Sequence, residues 1–181
     1  MCWGATLCYF SGVSELLWAP WRMEYILSKK EGGCIFCAYA KAEPSAHEEA
    51  LVLVQTEHAY VVLNRFPFAA GHLLVVPTRH EPELMGLPEV EHDALFRLTR
   101  EAASRLTRAV NAQGVNIGLN LGRAAGAGIA DHLHVHIVPR WDGDTNFMPV
   151  IGDVRVMPQH LQATYRHLAP HFLDVPGRRH G

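Results

Sequence analysis

The sequence has no strong excess of charge of either sign, and this excludes several classes of partner. Its 181 residues include 16 Lys and Arg against 18 Asp and Glu, a formal net charge of -2 at pH 7. Such a balance gives no overall attraction to nucleic acid or to an anionic membrane surface. Any phosphate group that the protein binds must therefore be held by a local site.

Long apolar runs and a basic leader are also absent. No run approaches the roughly 18 apolar residues that a membrane span needs, and the N-terminus lacks the basic start of a signal peptide. We therefore expect a cytoplasmic protein that binds neither a membrane nor nucleic acid.

Length and composition favour one domain with extensions, because a hydrophobic fraction of 49% is enough to build a core at this length. Residues 1–13 have no periodic pattern, and we expect a disordered lead-in there. Residues 14–33 form an extension rich in aromatic side chains, and residues 34–147 form the domain itself. A shorter helix is expected to begin after Pro158, within a C-terminal helix and tail that covers residues 148–181.

The hydrophobic pattern predicts one long helix and five strands. From Pro88 to Asn111, leucines and alanines recur at spacings of three and four, which is typical of an amphipathic helix. Short connections without a βαβ rhythm indicate an antiparallel α+β domain. One helix on a single sheet leaves the helix lightly covered, so we expect a homodimer. The predicted strands are Leu51–Val54, Tyr60–Leu63, Leu73–Val76, Val115–Leu121 and His132–Val138.

Three histidines, His132, His134 and His136, alternate with apolar residues near the end of this pattern. A period of two predicts that their rings share one face of a strand. Each ring has a nitrogen that needs a partner when buried, so a functional site explains the row better than core packing does. The alternative is a surface strand that happens to contain histidine, but the apolar residues that follow indicate a buried strand end.

A histidine row of this kind suits phosphoryl or nucleotidyl transfer. A neutral imidazole can attack phosphorus near pH 7, and a cationic one can protonate a leaving oxygen. The glycine-rich stretch 122–128, directly before the row, can offer backbone N–H groups to phosphate oxygens. Arg123 and Arg140 are candidates for additional positive charge, with ordinary surface positions as the alternative.

Cys34 and Cys37 form a Cys-x-x-Cys pair, which is a common source of two zinc ligands. A redox pair is the competing interpretation, but the βαβ setting of a thioredoxin motif is missing. His80 and His132 are candidates for the other two ligands of a structural Zn²⁺ site, and a metal-free reduced pair is the alternative. If His132 and His134 share a strand face, the zinc ligand His132 would stand about 7 Å from His134 along the strand. Either the His132 ring swings outward at the start of the strand, or the metal is not there.

The row and the Pro139-Arg140 that follows resemble the signature of the histidine-triad (HIT) superfamily. The resemblance covers roughly Cys34 to Asn146, and residues 17–26 and 141–147 look like a bacterial branch of ATP adenylyltransferases and diadenosine tetraphosphate phosphorylases. Its further matches are Leu63-Asn64-Arg65-Phe66-Pro67, Gly71-His72-Leu73 and Val75-Val76-Pro77.

This resemblance implies a dimeric HIT-like fold and a two-step transfer on an adenine nucleotide. His134 would attack the α-phosphorus and form a nucleotidyl-histidine, from which water or phosphate would release AMP or ADP. His136 would contact the phosphates and assist the leaving group. His132 would orient His134.

The resemblance also implies a nucleotide-binding site and a metal site. Asn64 matches the position that contacts the ribose, and zinc bound by the Cys-x-x-Cys pair, His80 and His132 is seen in some relatives. Many relatives place a hydroxyl or amide side chain near Gly128, and this chain offers none, so the acceptor stays open. The phosphate side of the site would comprise Asn120, Gly126, Gly128, Ile129 and His136.

Three functions are compatible with these observations. The first is a nucleotidyl transferase or hydrolase acting on adenine nucleoside polyphosphates, such as diadenosine tetraphosphate. The second is a purine nucleoside phosphoramidase, which has the same intermediate and a P–N leaving group. The third is a nucleotide-binding adapter without turnover, for which AMP binds but no histidine-linked adenylate can be trapped.

Overall fold

The computed structural model describes residues 33–126, 128–144 and 160–179 of the chain. These residues build a five-stranded antiparallel sheet with helices packed against it, which confirms the predicted α+β class. The predicted lead-in at 1–13, nearly all of the 14–33 extension and the start of the C-terminal tail lie outside the described residues. The strands are Val52–Gln55 (β1), Ala59–Leu63 (β2), Leu73–Pro77 (β3), Gly114–Leu119 (β4) and Val135–Arg140 (β5).

Four α-helices and four 3-10 turns surround the sheet in the described residues. The 3-10 turns are Pro44–Ala46, Leu84–Gly86, Arg123–Ala125 and Ala169–Phe172. The α-helices are Ile35–Ala40 (α1), His47–Ala50 (α2), Glu89–Val110 (α3) and Leu161–Leu168 (α4). None of the described helices combines the length and the apolar character that crossing a membrane requires.

The predicted long helix is confirmed as α3. Pro88 stands at its N-cap, where the absent N–H costs nothing, and Asn111 ends it in the left-handed conformation at φ 49°. Leu95, Leu98, Ala102 and Leu106 of the predicted stripe are buried, and α3 packs against β2, β3 and β5.

The strand order is β1-β2-β3-β5-β4, so the last strand in sequence inserts between β3 and β4. His136 of β5 pairs with Leu74 of β3 on one side and with Gly118 of β4 on the other. Side chains alternate along each strand, so these three residues share the sheet face that α3 does not cover. Helix α1 lies on that face, where the Tyr60 hydroxyl donates to the carbonyl of Phe36 at 2.8 Å.

The predicted start of the last strand at His132 is wrong. Strand β5 begins at Val135, and only His136 of the three histidines lies within it. The preceding residues leave the sheet because the Leu133 N–H donates to the carbonyl of Glu81 at 2.7 Å. The His132 ring likewise donates to the carbonyl of Pro77 at 3.0 Å. These bonds turn the chain toward the segment that follows β3.

Candidate active site

His134 is held in one orientation by a hydrogen bond to the main chain two residues earlier. Its Nδ1 lies 2.9 Å from the carbonyl oxygen of His132, so Nδ1 donates and the lone pair stands on Nε2. The ring is only 7% exposed and packs against the ring of Phe36, 5.1 Å away between centroids. Burial lowers the pKa of His134 below the ordinary value for histidine. A neutral imidazole with an available nitrogen lone pair is a nucleophile at neutral pH.

His136 is held by His72, a residue to which the sequence assigned no role. The backbone N–H of Phe68 donates to Nδ1 of His72 at 3.1 Å, which leaves the His72 proton on Nε2. That Nε2 lies 2.9 Å from Nδ1 of His136 and donates to it. The proton of a neutral His136 therefore stands on Nε2.

The Nε2–H group of His136 is buried and has no hydrogen-bond partner among the described residues. Its ring is 4.9 Å from that of His134 between centroids, with the two planes nearly perpendicular at 67°. Burial and the neighbouring His134 lower the pKa of His136 to about 4, so the ring is neutral at pH 7. A buried donor without an acceptor costs about 1–3 kcal/mol. An acceptor supplied by a ligand would recover that free energy.

Asn64 lies at the far end of the same hydrogen-bond chain. Its Oδ1 accepts from the N–H of Phe66 at 2.9 Å, and its Nδ2 lies 3.3 Å from Nδ1 of His72. The structure thus brings the predicted ribose-contacting residue together with His136, through His72. His72 lies two residues before Leu74 and therefore on the same sheet face, next to His136. The sequence spacing identifies its role only once the pairing of β3 with β5 is known.

The other predicted nucleotide-binding residues lie in the loop between β4 and His132. Gly126 adopts φ +85°, Asn120 and Ile129 are half-buried, and Gly128 is exposed. None of these four is hydrogen-bonded to the three histidines in the described part of the loop, which omits residue 127.

The two arginines near this loop differ in their partners. The guanidinium of Arg140 contacts both carboxylate oxygens of Asp144, at 2.6 and 2.7 Å, and also donates to Asn116. Its charge is therefore already paired. Arg123 is exposed in the turn after β4.

The four predicted metal ligands meet in space, as expected. The Sγ of Cys34 lies 3.3 Å from Nδ1 of His132, and the Sγ of Cys37 lies 3.3 Å from Nδ1 of His80. All four ligand atoms lie within 4.8 Å of one another. Zinc bonds of about 2.0–2.3 Å in a tetrahedron place ligand atoms roughly 3.3–3.8 Å apart. The cluster is therefore a possible metal site.

The surroundings of His132 also fit a metal ligand. Its Nε2 donates to the carbonyl of Pro77, which leaves the Nδ1 lone pair directed at the thiols. Histidine ligands in proteins commonly donate their second N–H to a carbonyl in this way. His132 can serve both groups, because its ring lies before β5 with Nδ1 toward the two thiols while its carbonyl contacts His134.

Comparison with known proteins gives matches across most of the chain. The family model described as HIT domain matches residues 45–143. AP-4-A phosphorylase from Mycobacterium tuberculosis is 39% identical over 168 residues, which cover 90% of this chain and 86% of that protein. An adenosine 5'-monophosphoramidase from Saccharomyces cerevisiae is 30% identical over 112 residues, which cover 62% of this chain and 65% of that protein.

Solved structures match as well. A Zn-bound histidine triad family protein from Mycobacterium smegmatis superposes with a TM-score of 0.60 at 26% identity. The match covers 77% of this chain and 93% of that one.

Proposed function

Because the chain belongs to the HIT domain family, we propose that it cleaves diadenosine tetraphosphate through a nucleotidyl-histidine, with inorganic phosphate as the acceptor. The observation behind this proposal is the pair of neutral rings, His134 and His136. One presents a lone pair at Nε2, and the other presents a buried N–H without a partner. The relative from Mycobacterium tuberculosis, named AP-4-A phosphorylase, supports this choice of substrate and acceptor.

In the first step, Nε2 of His134 attacks the α-phosphorus of one adenylate. The P–N bond forms, the bond from that phosphorus to the bridging oxygen breaks, and ATP leaves with the electron pair. The developing positive charge on the ring is stabilised by the carbonyl of His132, which keeps its bond to Nδ1–H. His136 donates a hydrogen bond from its Nε2–H to the leaving oxygen and keeps the proton, and Asn64 holds the ribose.

In the second step, a phosphate oxygen attacks the same phosphorus and the P–N bond breaks, which yields ADP and returns the electron pair to Nε2. Water as the acceptor would have to lose a proton to a base. His136 is poorly suited to that role because Nε2 already bears a proton and Nδ1 accepts from His72. The arrangement therefore favours an acceptor that is already an anion. The loop amides near Gly126 and Gly128, together with Asn120 and Ile129, would line the phosphate side.

Zn²⁺ is the proposed occupant of the site formed by Cys34, Cys37, His80 and His132. The two thiolates and two imidazoles match the ligands that zinc takes in closed structural sites. When bound, the ion would supply no chemistry to the transfer and would link α1 to the segment after β3 and to the residues just before β5.

A homodimer is also part of the proposal. In the described residues, β4 pairs only with β5 and its outer edge has no strand partner. Ile117 on this strand is 48% exposed, and Leu121 just beyond it is 47% exposed. A second copy would cover both the edge and these side chains. Light scattering after size-exclusion chromatography measures the mass directly.

The test of function is product analysis by mass spectrometry after incubation with diadenosine tetraphosphate, with and without phosphate. ADP and ATP that form only with phosphate are the expected result. AMP and ATP at the same rate in both incubations would identify a hydrolase and contradict the proposed acceptor. Adenosine phosphoramidate cleaved in preference to the dinucleotide would favour the phosphoramidase activity named for the yeast relative.

A further inference from the structure

His132 connects the metal ligands to the proposed nucleophile through two different groups. Its ring nitrogen Nδ1 lies 3.3 Å from the Sγ of Cys34 and 3.7 Å from that of Cys37. Its backbone carbonyl accepts from Nδ1–H of His134 at 2.9 Å. Whatever fixes the main chain at His132 therefore also fixes the tautomer and the orientation of the His134 ring.

Residues 132–134 are buried but precede β5, so its strand pairing does not hold them. Besides the thiol contacts of the His132 ring and the contact with His134, two hydrogen bonds in the described part of the chain hold this segment. The His132 ring donates to Pro77, and the Leu133 N–H donates to Glu81. Both acceptors belong to the stretch 77–81, which also provides His80. A metal ion bound by Cys34 and Cys37 at α1, by His80 in this stretch and by His132 would restrain the segment further.

We propose that the metal bound by Cys34, Cys37, His80 and His132 acts as a positioning element for the nucleophile, through the carbonyl of His132. This inference rests on the proposed function of His134 as the attacking residue. Without a shared ion, thiols and imidazoles make only weak mutual contacts, and the carbonyl can move away from His134. The ring then populates the tautomer with its proton on Nε2, which has no lone pair to attack phosphorus.

A purely structural metal predicts a different outcome. Loss of such an ion would loosen the whole fold, and nucleotide binding, turnover and thermal stability would decline together. A positioning metal predicts a selective loss of kcat, because Asn64, His72 and His136 are held by contacts that do not involve the four ligands.

The test compares zinc-loaded protein, chelated protein and the Cys37→Ser variant. We expect Cys37→Ser to lose zinc, bind AMP within about twofold of wild type and lose about 10- to 100-fold in kcat. Zinc returned to the chelated wild type restores kcat. A folded, zinc-free protein with unchanged kcat, or a joint loss of AMP binding and kcat, would overturn the proposal.

A second readout does not depend on substrate. Proton–nitrogen NMR correlation of the histidine side chains should show an exchange-protected Nδ1–H signal from His134 in zinc-loaded protein, lost on chelation and regained with zinc. If this signal follows the metal while wild type fails to cleave diadenosine tetraphosphate, the positioning role stands and the proposed function fails. If the signal is the same with and without zinc, the positioning role is wrong.

Discussion

Nε2 of His72 lies 2.9 Å from Nδ1 of His136, and this contact decides which nitrogen of His136 bears the proton. We predict that His72→Leu lowers kcat by about 10- to 100-fold, because His136 no longer has a fixed donor at Nε2 for the leaving group. KM should change less than kcat does, because Asn64 loses its contact with His72 but keeps the hydrogen bond from the Phe66 N–H.

The conservative variant His72→Gln gives the control, because its amide nitrogen can still donate toward His136. It should recover most of the lost kcat. His72 is fully buried, so urea denaturation must first show that both variants fold. Equal kcat in the leucine and glutamine variants would rule out a role for the donated hydrogen bond.

Replacement of His134 by alanine should remove the nucleophile and leave the binding site in place. We predict a loss of about 10³-fold or more in kcat, with AMP affinity within about threefold of wild type. Wild-type protein mixed with labelled diadenosine tetraphosphate and quenched in alkali should retain label on the chain, and the alanine variant should not. Retained activity in the variant would contradict the proposed intermediate.

The sequence predicted the sheet and the four residues of the possible metal site because both follow from local patterns. Apolar runs mark β2 and β3, and the Cys-x-x-Cys pair with His80 and His132 has the chemistry of zinc ligands. The roles of His72 and of the His132 carbonyl depend on which strands pair and where β5 begins. Those features come from contacts between residues far apart in sequence, such as Leu133 with Glu81.

Acid should destabilise the fold through His136. Its pKa falls from the ordinary 6.5 to about 4 on folding, because burial disfavours the charged ring. Between pH 6.5 and about 4, His136 is protonated in the unfolded chain and neutral in the folded protein. The free energy of unfolding is therefore unaffected by this group above pH 6.5 and decreases as the pH falls from 6.5 toward 4.

Urea denaturation at about pH 7 and about pH 5 measures this effect in wild type and in a His136→Gln variant. The variant should lose less stability between the two pH values than wild type does. The same loss in both proteins would mean that His136 does not contribute to the acid sensitivity.

Gly71 positions His72 through a backbone conformation that favours glycine. Its φ is +82°, and a Cβ there would lie 3.3 Å from Cδ1 of Leu106 in the core. We predict that Gly71→Ala lowers the free energy of unfolding by about 1–2 kcal/mol. Gly114→Ala is the matched control, because it has open space around the Cβ and an extended strand conformation. Equal stability of the two variants would contradict the prediction.

Arg105 should stabilise the C-terminal segment far more than an exposed arginine does. Its side chain is largely buried on α3, where it contacts Glu101 and Asp174 and donates to the carbonyl of His171 at 2.6 Å. Arg105→Met leaves that carbonyl without its donor, and we expect a loss of about 2–3 kcal/mol. Arg166 pairs with Glu48 on the surface, with side-chain exposures of 69% and 54%, so Arg166→Met should cost less than about 1 kcal/mol. Urea denaturation of the two variants measures the difference, and similar losses would show that burial of Arg105 adds nothing.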